Sequence, residues 1–140
     1  MNKKKITFVN GCFDVIHLGH LQLLLYARKK SKYLIVAINS DKSIKSLKDN
    51  NRPINKQTIR KKFLELLNIA DKVLIFDDIS PLNLIKKFKP AFIVKGSDYK
   101  KENVIGFKEA KKWGGKVIIF KKKNNLSTSK IIKKKWNAQT

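Results

Sequence analysis

The residues best suited to chemistry in this 140-residue chain are gathered in one short stretch, VNGCFDVIHLGH, residues 9–20. It holds His17 and His20, the whole stock of imidazole, and Cys12, the single thiol. If the two histidines share the first turn of a helix, their three-residue spacing puts them on one face. Three chemistries are open to such a pair. It can ligate a metal, although no second cysteine, third histidine or HExxH pattern accompanies it. It can fill a helix start as ordinary structure. It can also donate to a phosphoryl group, because positioned donors are what the charge developing in phosphoryl transfer requires. Cys12 as a nucleophile would need a partnered base, whereas its backbone amide can serve without one.

The elements around this stretch fix its place. Residues 5–10 (KITFVN) form a β-branched and aromatic run ending at Asn-Gly, which predicts a strand and a turn. Residues 18–30 follow with apolar positions at Leu21, Leu24, Leu25 and Ala27 and a basic end, as a helix requires. Continuous apolar runs at 33–39, 72–76, 91–95 and 116–120 predict strands covered on both faces. Helical stretches are expected at 57–69, 81–88 and 101–113, the last stopping at Gly114-Gly115, with a final short helix from Ser127 to about Trp136. The alternation implies an α/β fold: a three-layer, doubly wound, Rossmann-like parallel sheet of five strands, in one domain spanning 1–140. The ligand site then lies beyond the strands' carboxyl ends, near the point where strand order reverses. Residues 48–56 (KDNNRPINK) are the most loop-like segment and a candidate mobile loop beside it.

Composition narrows the function classes. One cysteine precludes an intrachain disulfide and cysteine-rich zinc sites, and no apolar run reaches the roughly 18 residues of a membrane span. A cytoplasmic protein without membrane contact is expected. The formal net charge of +23 invites an anionic partner, but 30 of the 33 basic residues are Lys and only Arg28, Arg52 and Arg60 are Arg. Specific base readout leans on bidentate Arg, so no specific nucleic-acid partner is expected. Lys, Ile and Asn supply 59 of the 140 residues, as an AT-rich coding sequence would give. A solvated lysine surface and a charge selected for an anionic partner both remain open. Neither GxGxxG nor GxxxxGK[ST] occurs, so another phosphate device is required. The backbone N–H groups of Gly11, Cys12 and Phe13, facing the start of the following helix, make an anion site.

GCFDVIHLGH resembles the GxFDxxHxGH signature of the cytidylyltransferase-like nucleotidyltransferases, relatives of the HIGH-motif class I aminoacyl-tRNA synthetases. NSDKSIKSLKDNNRPIN, VKGSDYKKENVIG and LSTSKI extend the likeness, in order and spacing, to the heptose-1-phosphate adenylyltransferase domain, from about Lys4 to Lys135. Glycerol-3-phosphate cytidylyltransferase is a cousin of similar size. The resemblance implies a HIGH-type nucleotidyltransferase fold and transfer of AMP from ATP to a heptose 1-phosphate with release of pyrophosphate. It also implies Mg²⁺ carried on the triphosphate, no metal site of the protein's own, and a homodimer. A CTP-dependent glycerol-3-phosphate cytidylyltransferase is the alternative enzyme. A basic nucleic-acid-binding module that has lost the chemistry is the alternative of another class.

Carried over by position, the resemblance makes His17, His20, Asp14 and Lys48 the catalytic set. Gly11, Cys12, Phe13, Lys95, Gly96, Asp98, Ser127, Thr128 and Ser129 join both histidines at the nucleotide. Asp14, Asn39, Asp41 and Arg60 are assigned to the substrate. Local readings stand beside these: Asp14 or Asp41 as helix caps, Lys48 as surface, and the hydroxyls at 127–129 as a cap. Relatives often read Ser-Thr-Thr where this chain ends on Ser129. The cytidylyltransferase cousin carries an Arg shortly before that motif, where this chain has Lys122 and Lys123. Trp113 and Trp136 lie on helical stretches and are expected to pack rather than stack on bases.

Overall fold

The computed structural model describes residues 5–48 and 51–121. Five parallel strands form one sheet: β1 (Ile6–Gly11), β2 (Tyr33–Asn39), β3 (Lys72–Phe76), β4 (Phe92–Gly96) and β5 (Lys116–Phe120). Their order is β3-β2-β1-β4-β5, the doubly wound arrangement, with the reversal between β1 and β4. Two strands sit one residue later than the sequence pattern predicts, at Ile6–Gly11 and Phe92–Gly96.

Successive strand residues point to opposite faces, and the two cores sort accordingly. Val9, Leu34, Val36, Ile38 and Val94 pack on one face beneath Leu24 and Ala27 of α1 (Leu18–Arg28) and Leu64 of α3 (Gln57–Leu67). Phe8, Ile35, Ala37 and Ile93 pack on the other beneath Ile85 of α4 (Leu82–Phe88) and Ala110 of α5 (Phe107–Lys111). Burial on both faces explains why these strands read as unbroken apolar runs. Trp113 belongs to the second core, with its indole N–H donating to the Pro90 carbonyl at 2.8 Å, so it packs as expected.

One feature of the register opens the site. β1 pairs with β2 over six residues, and β4 with β5 over five, but β1 and β4 pair only at Thr7↔Phe92 and Phe8↔Ile93. Beyond that point the two central strands part, leaving a gap at their carboxyl ends.

The expected helix at 101–113 is a correction. A 3₁₀ turn at Lys101–Asn103 is separated from α5 by Gly106, whose φ of +97° ends any continuous helix. The cause is packing: a Cβ at Gly106 would lie 2.8 Å from Ile93 Cδ1 and 3.1 Å from Ile85 Cδ1. A short helix at α2 (Asp41–Leu47) is capped by Ser40, whose hydroxyl accepts the Ser43 N–H at 3.1 Å, rather than by Asp41. The expected helix from Ser127, and Trp136 with it, lies outside the described residues. Gly106→Ala adds both a strained φ and an overpacked methyl, so it should destabilise the protein by about 2 kcal/mol. A thermal scan should show the midpoint several degrees lower; one within about a degree of wild type would refute the packing argument.

Candidate active site

The gap beyond β1 and β4 is a crevice of about 660 Å³. Of the sequence-predicted residues, Gly11, Cys12, Phe13, Asp14, His17, His20, Asn39, Lys48, Lys95 and Asp98 line it. Gly96 lines an adjoining cavity of about 320 Å³ that shares both histidines, Lys95 and Asp98. Residues as distant in sequence as Gly11 and Asp98 are thus brought to one opening.

The histidines are placed by the start of α1. His17 is the N-cap, and its Nδ1 accepts the Gly19 N–H at 3.1 Å; His20 Nδ1 accepts the His17 N–H at 3.2 Å. This is a capping box in which two imidazoles take the places usually held by Ser or Thr and Glu or Gln. The rings stack with centroids 3.9 Å apart. Because each Nδ1 accepts from backbone, each neutral ring carries its proton on Nε2. Both rings line the crevice, so each carries an Nε2–H at its wall. No acidic residue occupies the first turn of α1, so the positive end of its dipole is not neutralised.

Phe13 carries the turn between β1 and α1 at φ +49°, a left-handed conformation that costs a non-glycine residue roughly 1–2 kcal/mol. Its ring is buried in the core and lies 5.1 Å, centroid to centroid, from that of His20. A Cβ at Gly11 would meet that ring at 3.2 Å, so the tight turn and the glycine go together.

Lys95 crosses the gap from β4, its Nζ donating to the Asn10 carbonyl at 3.1 Å and lying 4.9 Å from the Tyr99 ring centroid. Burial pushes its pKa down to about 8, an effect partly offset by the neighbouring Cys12 sulfur. Asp98, by contrast, is exposed at the rim. Cys12 Sγ stands 3.8 Å from Asn39 Oδ1, and Asn39 Nδ2 donates to Ser43 Oγ at 2.9 Å, fixing the amide at the end of β2.

Asp14 is buried against segment 52–55. Its Oδ1 accepts the Asn55 N–H at 2.8 Å, and its Oδ2 accepts the Ile54 N–H at 2.8 Å and pairs with Arg52 at 3.3 Å. Burial raises the carboxyl pKa, but the N–H groups of Asn55 and Ile54 and the Arg52 guanidinium outweigh it and hold it below the ordinary value. Asp14 does not cap α1, a place His17 takes. Of the described residues of the 48–56 loop, Arg52, Ile54 and Asn55 thus bond to Asp14 in the turn after β1.

Two residues assigned to the substrate are placed elsewhere. Arg60 is 1% exposed and donates to the Cys12, Asn39 and Asn55 carbonyls, so it sits under the loops instead of facing the crevice. Asp41 pairs with Arg60 at 2.8 Å and accepts the Gln57 N–H at 2.9 Å, which turns its carboxylate to the same cluster. Ser127, Thr128 and Ser129 lie outside the described residues. Arg52 and Tyr99 were not singled out from sequence but line the crevice. Their signals were present, in the loop-like run at 48–56 and in VKGSDY after the fourth strand.

Among the described residues no group of three or more His, Cys, Asp or Glu could hold a metal ion, and no helix is long and apolar enough to cross a membrane. Mg²⁺ typically takes one or two carboxylates and completes its shell with phosphate oxygens and water. With both Asp14 oxygens engaged by segment 52–55, Asp98 is the carboxylate that fits a Mg²⁺ brought in on a triphosphate.

Comparison with known proteins agrees with this geometry. The chain is 44% identical to the bifunctional protein HldE of Koribacter versatilis over 133 residues, 95% of this chain and 27% of that protein. It is 51% identical to HldE of Campylobacter concisus over 104 residues, 74% of this chain and 22% of that protein. The chain thus spans about a quarter of the length of the curated relatives it matches. The crystal structure of the lipopolysaccharide core biosynthesis protein from Thermoplasma volcanium shares the fold at a TM-score of 0.67 and 23% identity, covering 85% of this chain and 96% of that one. Pantoate-beta-alanine ligase from Francisella tularensis shares it at 0.63 and 19% identity, covering 91% and 65%. Residues 8–134 match the family described as cytidylyltransferase-like, and with both imidazoles, the glycine turn and Lys95 meeting at the strand reversal, the chain belongs to the cytidylyltransferase-like family.

Proposed function

We propose that this protein is an adenylyltransferase that moves AMP from ATP to the phosphate of a heptose 1-phosphate, releasing pyrophosphate. The observation that carries the reading is the convergence of His17, His20, the Gly11–Phe13 turn and Lys95 on one crevice, in a chain 38–51% identical to HldE proteins. An acceptor phosphate oxygen attacks the α-phosphorus of ATP in line with the bridging oxygen to the β-phosphate. The new P–O bond forms as that bridging bond breaks, and pyrophosphate leaves with the electron pair. No covalent enzyme intermediate is needed.

Positioning and charge stabilisation then supply the catalysis. The Nε2–H donors of His17 and His20 and the amides of the β1 turn meet the triphosphate oxygens, with Lys95 beneath them. Lys48 and Arg52 also line the crevice, and Arg52 is oriented by Asp14. Asp98 would hold a Mg²⁺ carried on the triphosphate, which would supply neutralisation of the phosphate charge. The family resemblance adds the hydroxyls of Ser127, Thr128 and Ser129 to the nucleotide contacts, and Asn39 is assigned to the acceptor. The same reading takes the enzyme to be cytoplasmic, where ATP is supplied, and homodimeric. Ile59, Phe63 and Leu66 form an exposed apolar stripe on α3 that a partner subunit would cover.

Incubating the protein with ATP or CTP, and with heptose 1-phosphate or glycerol 3-phosphate, while following pyrophosphate is the direct test. Turnover with ATP and the heptose is expected. Turnover only with CTP and the glycerol ester would establish the cytidylyltransferase instead. Tight, steeply salt-dependent nucleic-acid binding without any transfer would establish the non-catalytic module.

His17→Ala and His20→Ala should each lower kcat by about 10²-fold or more if each ring donates in the transition state. Full activity in both variants rejects the assignment.

Lys95 gives a pH signature. With a pKa of about 8 it is cationic below that pH and neutral above it in the free enzyme. The kcat/KM for ATP should therefore fall by about tenfold per pH unit above 8, while kcat holds to higher pH because bound phosphates retain the proton. Lys95→Met should lack the inflection, and a wild-type profile flat through pH 8 would exclude this role.

A further inference from the structure

Arg60 takes no part in the steps above, yet it is the bulkiest fully buried side chain among the described residues. Its Nε donates to the Asn55 carbonyl at 2.9 Å, one Nη to the Cys12 and Asn39 carbonyls at 2.8 and 2.6 Å, and the other Nη to Asp41 Oδ1 at 2.8 Å. These acceptors belong to the turn after β1, the end of β2, the start of α2 and the segment before α3. A planar fork with donors at fixed angles can serve four such acceptors at once, which an ammonium cannot. Removing it would leave buried polar groups unpaired.

The Cys12 contact is the informative one. In a trans peptide the C=O and the following N–H point in opposite directions. Holding the Cys12 carbonyl toward Arg60 therefore turns the Phe13 N–H to the other side of the loop. Cys12 and Phe13 line the crevice and Arg60 does not, so that other side is the crevice. Phe13 also sits at φ +49°, which an L-residue leaves readily unless it is held.

We infer that Arg60 is a positioning residue for triphosphate binding: from beneath the loop it locks the Cys12–Phe13 peptide so that the Phe13 N–H stays aimed at the phosphates. Asp41 steadies the guanidinium from its far side, and is itself fastened to Gln57 by reciprocal bonds of 2.9 Å. The inference rests on the nucleotidyl-transfer reading.

The test uses Arg60→Lys in the full chain, which keeps the charge and loses the fork. Three quantities are compared with wild type well below both melting temperatures: the three-bond HN–Hα coupling of Phe13, which reports its φ, the ATP dissociation constant by calorimetry, and the melting temperature itself. The Phe13 coupling should move off its left-handed value and ATP affinity should fall about tenfold or more, as loss of one charge-assisted donor implies. If Arg60→Lys does not fold, Asp41→Asn takes its place, leaving Arg60 present with a weakened anchor; the same two changes are then expected in smaller degree. Wild-type ATP affinity or an unaltered Phe13 coupling in a folded variant overturns the inference. Failure of the wild-type protein itself to bind ATP defeats the nucleotidyl-transfer reading, and this one with it.

Discussion

The reversal of strand order between β1 and β4 is the constraint on which everything else depends. The chain leaving β1 turns to α1 on one face of the sheet, and the chain leaving β4 turns toward α5 on the other. Among the described residues the two connections leave to opposite faces, so a hollow remains at the carboxyl ends of β1 and β4. The early end of β1–β4 pairing widens it, since Val9–Gly11 and Val94–Gly96 run on as strands without facing each other in register. Lys95 shows what the gap demands: only a long side chain reaches from one parted strand to the Asn10 carbonyl of the other. The cation held there is desolvated, and it faces the place where an anion would restore the balance.

At the start of α1 stability and function pull apart. Ser or Asp at the N-cap and Glu at the third position would stabilise the helix better than imidazole, and acids in the first turn would neutralise its dipole. The acids among them would repel a polyphosphate. His17 and His20 meet both needs, because one nitrogen of each ring closes the capping box while the other carries a donor. The structural reading of the pair describes the Nδ1 end of each ring, and the phosphate-donor role proposed above would use the Nε2 end.

What the sequence made legible follows from how local each signal is. Buried parallel strands announce themselves as apolar runs, and Tyr33–Asn39, Lys72–Phe76 and Lys116–Phe120 match their patterns residue for residue. The break at Gly106 was hidden because it depends on Ile93 and Ile85, which reach it only after folding. Arg60 and Asp41 were misplaced for the same reason. A charged residue near a site reads as a substrate contact until the carbonyls of residues 12, 39 and 55 are seen to converge on it. Arg52 carried a signal only as part of a loop, and its tie to a buried Asp14 is a contact across 38 residues.

The three arginines resolve part of the ambiguity in the charge. Arg28 bonds the Ile69 and Lys32 carbonyls and pairs with Asp71, joining the end of α1 to the starts of β2 and β3. Arg52 is tied to Asp14 at the crevice, and Arg60 is sealed beneath it. Arg28 and Arg60 each serve several fixed acceptors with a planar fork, a task lysine performs poorly, whereas Arg52 is held by Asp14. A chain whose composition favours lysine this strongly thus keeps arginine for positions of defined geometry. Arg28 and Arg52 are engaged by carboxylates and Arg60 is buried, which does not match bidentate reading of base edges by arginine. The surplus of +23 is therefore carried by lysines, whose long-range field would favour the approach of anions whichever of the two origins the charge has.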